Sequence, residues 1–187
     1  MNKRNSKRNA ADEQRTSVLI AVADEEHALA IAEFVQAHRW PEDVRFHLLY
    51  VVEEPSIRRV LRFSPDIAQQ IIDEDEIYGG RLTKKLQVLL AKAMPTAEIE
   101  GNVRRGFAKN EILETADDIK ADYIVLGSHG RLGVSALLLG SVSLAVMMEA
   151  KCSVLVVRLP IAHVESKTGA SLANEDLPKQ MISYAKN

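Results

Sequence analysis

At 187 residues, with 47% hydrophobic and 27% charged side chains, the chain has the makeup of one well-buried globular domain with residues to spare at both ends. The formal net charge of -2 gives no global reason to expect nucleic acid or an acidic membrane surface as a partner. A single cysteine, Cys152, excludes an intrachain disulfide and a cysteine-based zinc cluster, and it reads as a buried, inert thiol at the mouth of an apolar strand. The polar N-terminus lacks the apolar core of a signal peptide, and no apolar run approaches bilayer length, so a cytoplasmic location is expected.

Residues 1–16 are polar and aperiodic and read as a flexible tail. Their basic cluster (Lys3, Arg4, Lys7, Arg8) is followed by Asp12 and Glu13 without interleaved aromatics, which favours a solvated arm over an anion-binding one. Residues 17–160 form the expected domain, and 161–187 an extension. Within the domain, 17–23 is a continuous apolar run of strand length, as a strand covered on both faces requires. Asp24 is placed to cap a helix carrying Ala28, Ile31, Ala32 and Val35 at helical spacing and ending before Pro41. A second buried strand covers 44–52.

Pro65 and Asp66 open a long helix that runs to just before Pro95, and Gly79-Gly80 should weaken or bend it. The acidic run 73–76 reads as its solvated face. A shorter, more exposed strand over 97–105 suits a sheet edge, and an amphipathic helix is expected over 106–120. A strand over 122–127, a glycine-rich loop, a helix from about 141 and a strand over 153–158 complete the domain. Five strands alternating with four helices make one doubly wound parallel α/β sheet of the flavodoxin-like, Rossmann-like kind, with expected order 3-2-1-4-5. Ligands bind at the switch point of such a sheet, here between strands 1 and 4.

That is where the glycines lie. Gly127, Gly130, Gly140 and Ser141 follow the spacing Gly-x2-Gly-x9-Gly-Ser between two apolar strands. Glycines let backbone approach a ligand closely and tolerate positive φ, and a helix opening at Gly140-Ser141 presents free N–H groups and a positive end to an anion. The Ser141 hydroxyl can add a hydrogen bond, and Arg131 is placed either to add charge there or to sit as a solvated surface arginine. No Gly-Lys-Ser/Thr follows, so a Walker-type loop is not indicated.

The chain resembles the universal stress protein family over roughly residues 16–158, through 18–22, Leu48-Leu-Tyr-Val-Val52, Gly106 with Glu111-Ile112-Leu113, 121–131, Leu137-Leu-Leu-Gly-Ser-Val-Ser143 and 152–157. The resemblance implies a flavodoxin-like sandwich and a homodimer, here through strand 153–158. Its ATP-binding members carry this glycine spacing. By the same resemblance ATP, with Mg2+ or Mn2+, would meet the backbone of Val51 at the adenine edge, Ala21, Val22 and Ala23 on the sugar-base side, and Leu126, Gly127, Gly130, Arg131, Gly140, Ser141 and Val142 towards the phosphates. One departure stands out: Ala23 occupies the place of the Asp expected after the first strand, and Asp24 would replace it only if the turn slips by one residue.

Catalysis is not indicated. His27, His38, His47, His129 and His163 are scattered, and His47 reads as locally hydrogen-bonded within its strand. His129, in the loop, lacks a paired titratable residue, and no nucleophile-base order or metal-ligand cluster appears. Slow ATP hydrolysis would be a side activity. Two readings stay open: an ATP-binding stress-response module whose conformation or dimerisation answers to nucleotide, or a dimeric interaction module of the same fold without useful nucleotide affinity. A protein partner is compatible with either. The last helix carries Leu144, Ala145 and Met148 where the resemblance implies charged residues, and Met147 and Met148 suit either adaptable contacts or a wider core stripe. In the extension, Leu177, Met181 and Tyr184 fall at helical spacing after Asn174, so that segment is expected either to dock near the last helix or to remain disordered.

Overall fold

The apolar run after Ser17 has no polar side, and the chain covers it from both directions. In the structure, a computed structural model that describes residues 15–53, 64–128 and 139–158, β1 (Ser17–Val22) is the middle strand of a five-stranded parallel sheet. Alternation of side chains along β1 sends Val18, Ile20 and Val22 to one face and Leu19 to the other. The first face is closed by α1 (Glu25–Ala37), through Ala28, Ile31, Ala32 and Val35, and by α2 (Pro65–Ala93), through Leu82, Leu86 and Leu90. The second is closed by α3 (Ala108–Asp118), through Ile112 and Ala116, and by α4 (Ser141–Glu149), through Val146.

The remaining strands are β2 (Arg45–Glu53), β3 (Glu98–Gly106), β4 (Tyr123–Gly127) and β5 (Ser153–Val157). Their order is β3-β2-β1-β4-β5, as the sequence predicts, and every neighbouring pair is parallel. Both edges are exposed relative to the centre: β3 is polar along most of its length, whereas β5 keeps Val154, Leu155 and Val156 half-buried. Among the described residues no helix is long and apolar enough to cross a membrane.

Several expectations need adjustment. Gly79-Gly80 lies within α2, which is continuous over 29 residues. A Cβ on Gly79 would collide with the ring of Tyr50, so this glycine makes room for a buried aromatic, whereas Gly80 faces open space. The Tyr50 hydroxyl donates to Asp75 at 2.7 Å, and Glu76 is bonded to Arg105, so the acidic run is only partly a solvated face. The third helix begins at Ala108, because Gly106 has φ +156° and ends β3 instead. His47 makes no local hydrogen bond: Nδ1 lies 3.8 Å from Glu100, and Nε2 is buried without a partner. Cys152 is half-buried, and burial pushes its thiol pKa up, which keeps it protonated.

On α4, Leu144, Met147 and Met148 are exposed, Met148 by 76%. The 161–187 extension expected to dock near them lies outside the described residues, as do the N-terminal tail through residue 14 and loop positions 129–138.

Two measurements follow from these contacts. Gly79→Ala should destabilise by about 1–3 kcal/mol through overpacking against Tyr50, whereas Gly80→Ala should stabilise by about 0.5–1 kcal/mol. Urea unfolding of the two variants separates a packing glycine from an unneeded one. Burial lowers the His47 pKa below its ordinary 6.5, outweighing the attraction of Glu100. The unfolded chain therefore takes up this proton first, and the stability present at neutral pH falls as the pH drops through about 6.5 towards the folded value. His47→Gln should flatten that slope in unfolding free energies measured between about pH 7 and pH 5.

Candidate functional site

At the carboxyl ends of β1 and β4 the chain departs in opposite directions. β1 leads through Ala23 and Asp24 into α1 on one face of the sheet; β4 leads through Gly127 and Ser128 towards α4 on the other. Such a divergence leaves a crevice above the strand ends.

The floor of this crevice is apolar. Val51 and Leu126 are buried in the core beneath α3 and α4, and Ala21 and Val142 pack against the same cluster. Ala21 pairs in register with Leu49 of β2 and Leu126 of β4. Val22 turns its side chain into the opposite core, so only its backbone is left for the crevice. Ala23 is half-buried beside it. The structure thus groups Ala21, Val51, Leu126 and Val142 on one face and brings Gly127, Gly140 and Ser141 to the strand end next to them. Gly130, Arg131 and His129 lie outside the described residues.

Both sides of the loop mouth are tied down. The Ser128 amide donates to the Val157 carbonyl at 2.8 Å, and the Ser128 carbonyl accepts from the Gly140 amide at 2.7 Å. The Ser143 hydroxyl donates to the Gly127 carbonyl at 2.7 Å. Ser128 and Ser143 are buried and were not singled out from sequence; a serine one turn into a helix resembles any surface serine until its distant acceptor is known. These bonds correct one expectation, since the Gly140 amide is engaged by Ser128 and is not free for an anion. The next three amides, of Ser141, Val142 and Ser143, have no partner among the described residues, and α4 has no side-chain cap. They are the orphan donors of a helix start, with the positive end of the helix dipole behind them.

Gly127 has a reason of its own. It does not adopt positive φ, contrary to one use expected of it. A Cβ there would stand 2.5 Å from Cδ2 and 2.9 Å from Cγ of His27, a buried residue in the first turn of α1. The ring is held by Asp24, whose carboxylate oxygens both lie 3.0 Å from Nδ1 while one also accepts the His27 amide at 2.9 Å. Asp24 is therefore the N-cap that the sequence predicts, and its carboxylate is turned to α1. His27 was overlooked as one of five scattered histidines; the available signal was its three-residue spacing from a capping Asp.

The sequence pattern of the universal stress protein family fits residues 14–158. The chain belongs to that family. A universal stress protein of Methanocaldococcus jannaschii is 32% identical over 119 residues, covering 63% of this chain and 67% of its own length. Among solved structures, the universal stress protein UspA from Lactobacillus plantarum superposes with a TM-score of 0.60 at 24% identity, covering 76% of this chain and 97% of its own. A family protein from Arabidopsis thaliana, solved with AMP bound, superposes with a TM-score of 0.55 at 18% identity, covering 79% of this chain and 94% of its own. These likenesses extend the flavodoxin-like fold of the family to this universal stress protein.

The contact between Gly127 and His27 is open to a double-mutant cycle. Gly127→Ala should cost about 1–3 kcal/mol in the native background, and most of that cost should vanish when His27→Ala has already removed the ring. Chemical unfolding of the four proteins measures the coupling.

Proposed function

We propose that this universal stress protein is an adenine-nucleotide-binding regulatory module, in which nucleotide occupancy of the crevice alters conformation or dimerisation. The observation that carries this reading is the set of three amides, of Ser141, Val142 and Ser143, that have no partner among the described residues and are placed at the switch point of the sheet beside an apolar floor. The AMP found in the Arabidopsis relative supports an adenine nucleotide as the ligand. ATP with Mg2+ or Mn2+ is the finer form of the proposal, with the phosphates at the amides and the base towards Val51. The proposed dimer pairs β5 with its counterpart in a second copy: this apolar strand is hydrogen-bonded to β4 on one side and lies at the end of the sheet order. The reading assigns no reaction to the crevice and places the protein in the cytoplasm.

Ala23 favours a second reading. A small apolar residue at the end of β1 supplies no carboxylate to a ribose or a metal ion, as a pure interaction module would tolerate. Nucleotide retained through purification, followed by titration of ATP and AMP with and without Mg2+, decides between the two. Saturable binding supports the first; no binding at millimolar nucleotide supports the second.

The amides are testable one at a time. Ser141 is the first helical residue, where proline is tolerated, and Gly140 before it already has the extended φ -60°, ψ 149° that a following proline requires. Ser141→Pro should therefore preserve α4 and the melting temperature while removing one amide and one hydroxyl, weakening nucleotide binding by about tenfold or more. Calorimetric titration of the variant checks this.

A further inference from the structure

Among the described residues His27 is the buried ionisable side chain at the crevice, and its hydrogen bonding is half complete. Asp24 engages Nδ1 with both carboxylate oxygens at 3.0 Å, which makes Nδ1 the N–H position and leaves the lone pair of the neutral ring on Nε2. The residue is only 6% exposed, and Nε2 is buried with no hydrogen-bond partner among the described residues. A buried acceptor left bare is costly, and such groups in native proteins mark a role beyond packing. The ring edge next to Nε2 is Cδ2, the atom that a Cβ on Gly127 would strike at 2.5 Å. The bare lone pair therefore lies at the carboxyl end of β4, between α1 and the start of the glycine loop.

Its place along the crevice selects the chemistry that would meet it. The strand order puts β2 on one side of β1 and β4 on the other. With a base near Val51 of β2 and phosphates at the start of α4 beyond β4, the sugar of the nucleotide spans β1 and the first turn of α1, where His27 sits. Phosphate oxygens are acceptors and offer a lone pair nothing; ribose hydroxyls are donors.

We propose that Nε2 of His27 accepts a hydrogen bond from a ribose hydroxyl of the bound nucleotide, with Asp24 as the positioning residue that fixes the ring's tautomer and orientation. The proposal rests on the nucleotide-binding reading and adds to it a discrimination between ribose and deoxyribose. Shielding from water makes that discrimination strong, because a sugar without the hydroxyl leaves the acceptor unpaired in a dry site.

The test is calorimetric titration of the full-length protein with AMP, 2′-deoxyAMP and 3′-deoxyAMP. The wild type should bind AMP about tenfold or more tightly than at least one deoxy analogue, and that analogue identifies the hydroxyl. His27→Leu should lower AMP affinity to the level of the analogue while leaving the analogue's own affinity unchanged, a ratio that a merely structural role would not move. His27→Gln, which restores an acceptor, should recover part of the preference. Equal binding of all three nucleotides by the wild type, or a preference that survives His27→Leu, overturns the proposal and leaves the nucleotide reading intact. Failure of all three to bind overturns both. If His27→Leu does not fold, the imidazole 15N resonances of the wild type give the same answer. Nε2 should shift on saturation with AMP and not with the discriminated analogue, and an Nε2 resonance unmoved by AMP overturns the proposal.

Discussion

The structure depends on a strand that has no face to give to water. Along β1, Val18, Leu19 and Ile20 are fully buried, so helices must cover both sides of the sheet. Right-handed crossovers then carry the chain outward from β1 through β2 to β3 on one face, and back across to β4 and β5 on the other. The two directions of winding meet between β1 and β4, where consecutive connections cannot close over each other. The crevice is thus a consequence of burying β1, and its contents are whatever the first turns after β1 and β4 carry: Asp24 and His27 from one side, Gly127, Ser128 and the start of α4 from the other.

Much of this was legible because it follows from local rules. Apolar runs of strand length, proline and glycine breaks and the Asp24 cap suffice to place nine elements in order, and burial of the central runs then constrains the strand order. The strand order in turn locates the crevice, at the switch point between β1 and β4. What escaped was non-local. Gly79 looks like a weak point in a helix until Tyr50, 29 positions earlier, is seen to fill the space beside it. The free amide expected of Gly140 is engaged because the loop returns to Ser128, a closure that spacing alone cannot reveal. His47 carries no sign in its neighbours that its strand position leaves one nitrogen dry and the other 3.8 Å from Glu100.

The apolar surface of α4 belongs to a different problem from the crevice. Val146 and Ser143 face the core, and Leu144, Met147 and Met148 face outward, so the helix is apolar on both sides while its inner side alone is packed within the described residues. It stands beside β5, which lies at the end of the sheet order and pairs only with β4 among the described residues. Under the proposed function, α4 would hold ligand with its N-terminus and present apolar side chains along its flank, which would link the two properties mechanically. Ordering of the first turn around an anion would then stiffen the same short element that a partner surface would contact, and nine residues leave little length over which the effect could dissipate.

The two glycine contacts change how the motif itself should be weighed. Glycine in a phosphate-binding loop is ordinarily credited with conformational freedom or with clearing a path for the ligand. Gly79 and Gly127 do neither: each lacks a Cβ because an aromatic ring from another element occupies its place, Tyr50 in one case and His27 in the other. Gly127 would thus be required even in a chain that bound nothing. Its presence in the motif is weak evidence for nucleotide, and the weight passes to features that packing does not explain: three amides on α4 and a buried nitrogen on His27, all without a partner among the described residues. Both sit at the same strand end and both are polar groups that a folded protein normally satisfies. They call for opposite partners, an acceptor for the amides and a donor for the imidazole. A ribonucleotide offers both in one molecule, phosphate oxygens at one end and sugar hydroxyls next to them.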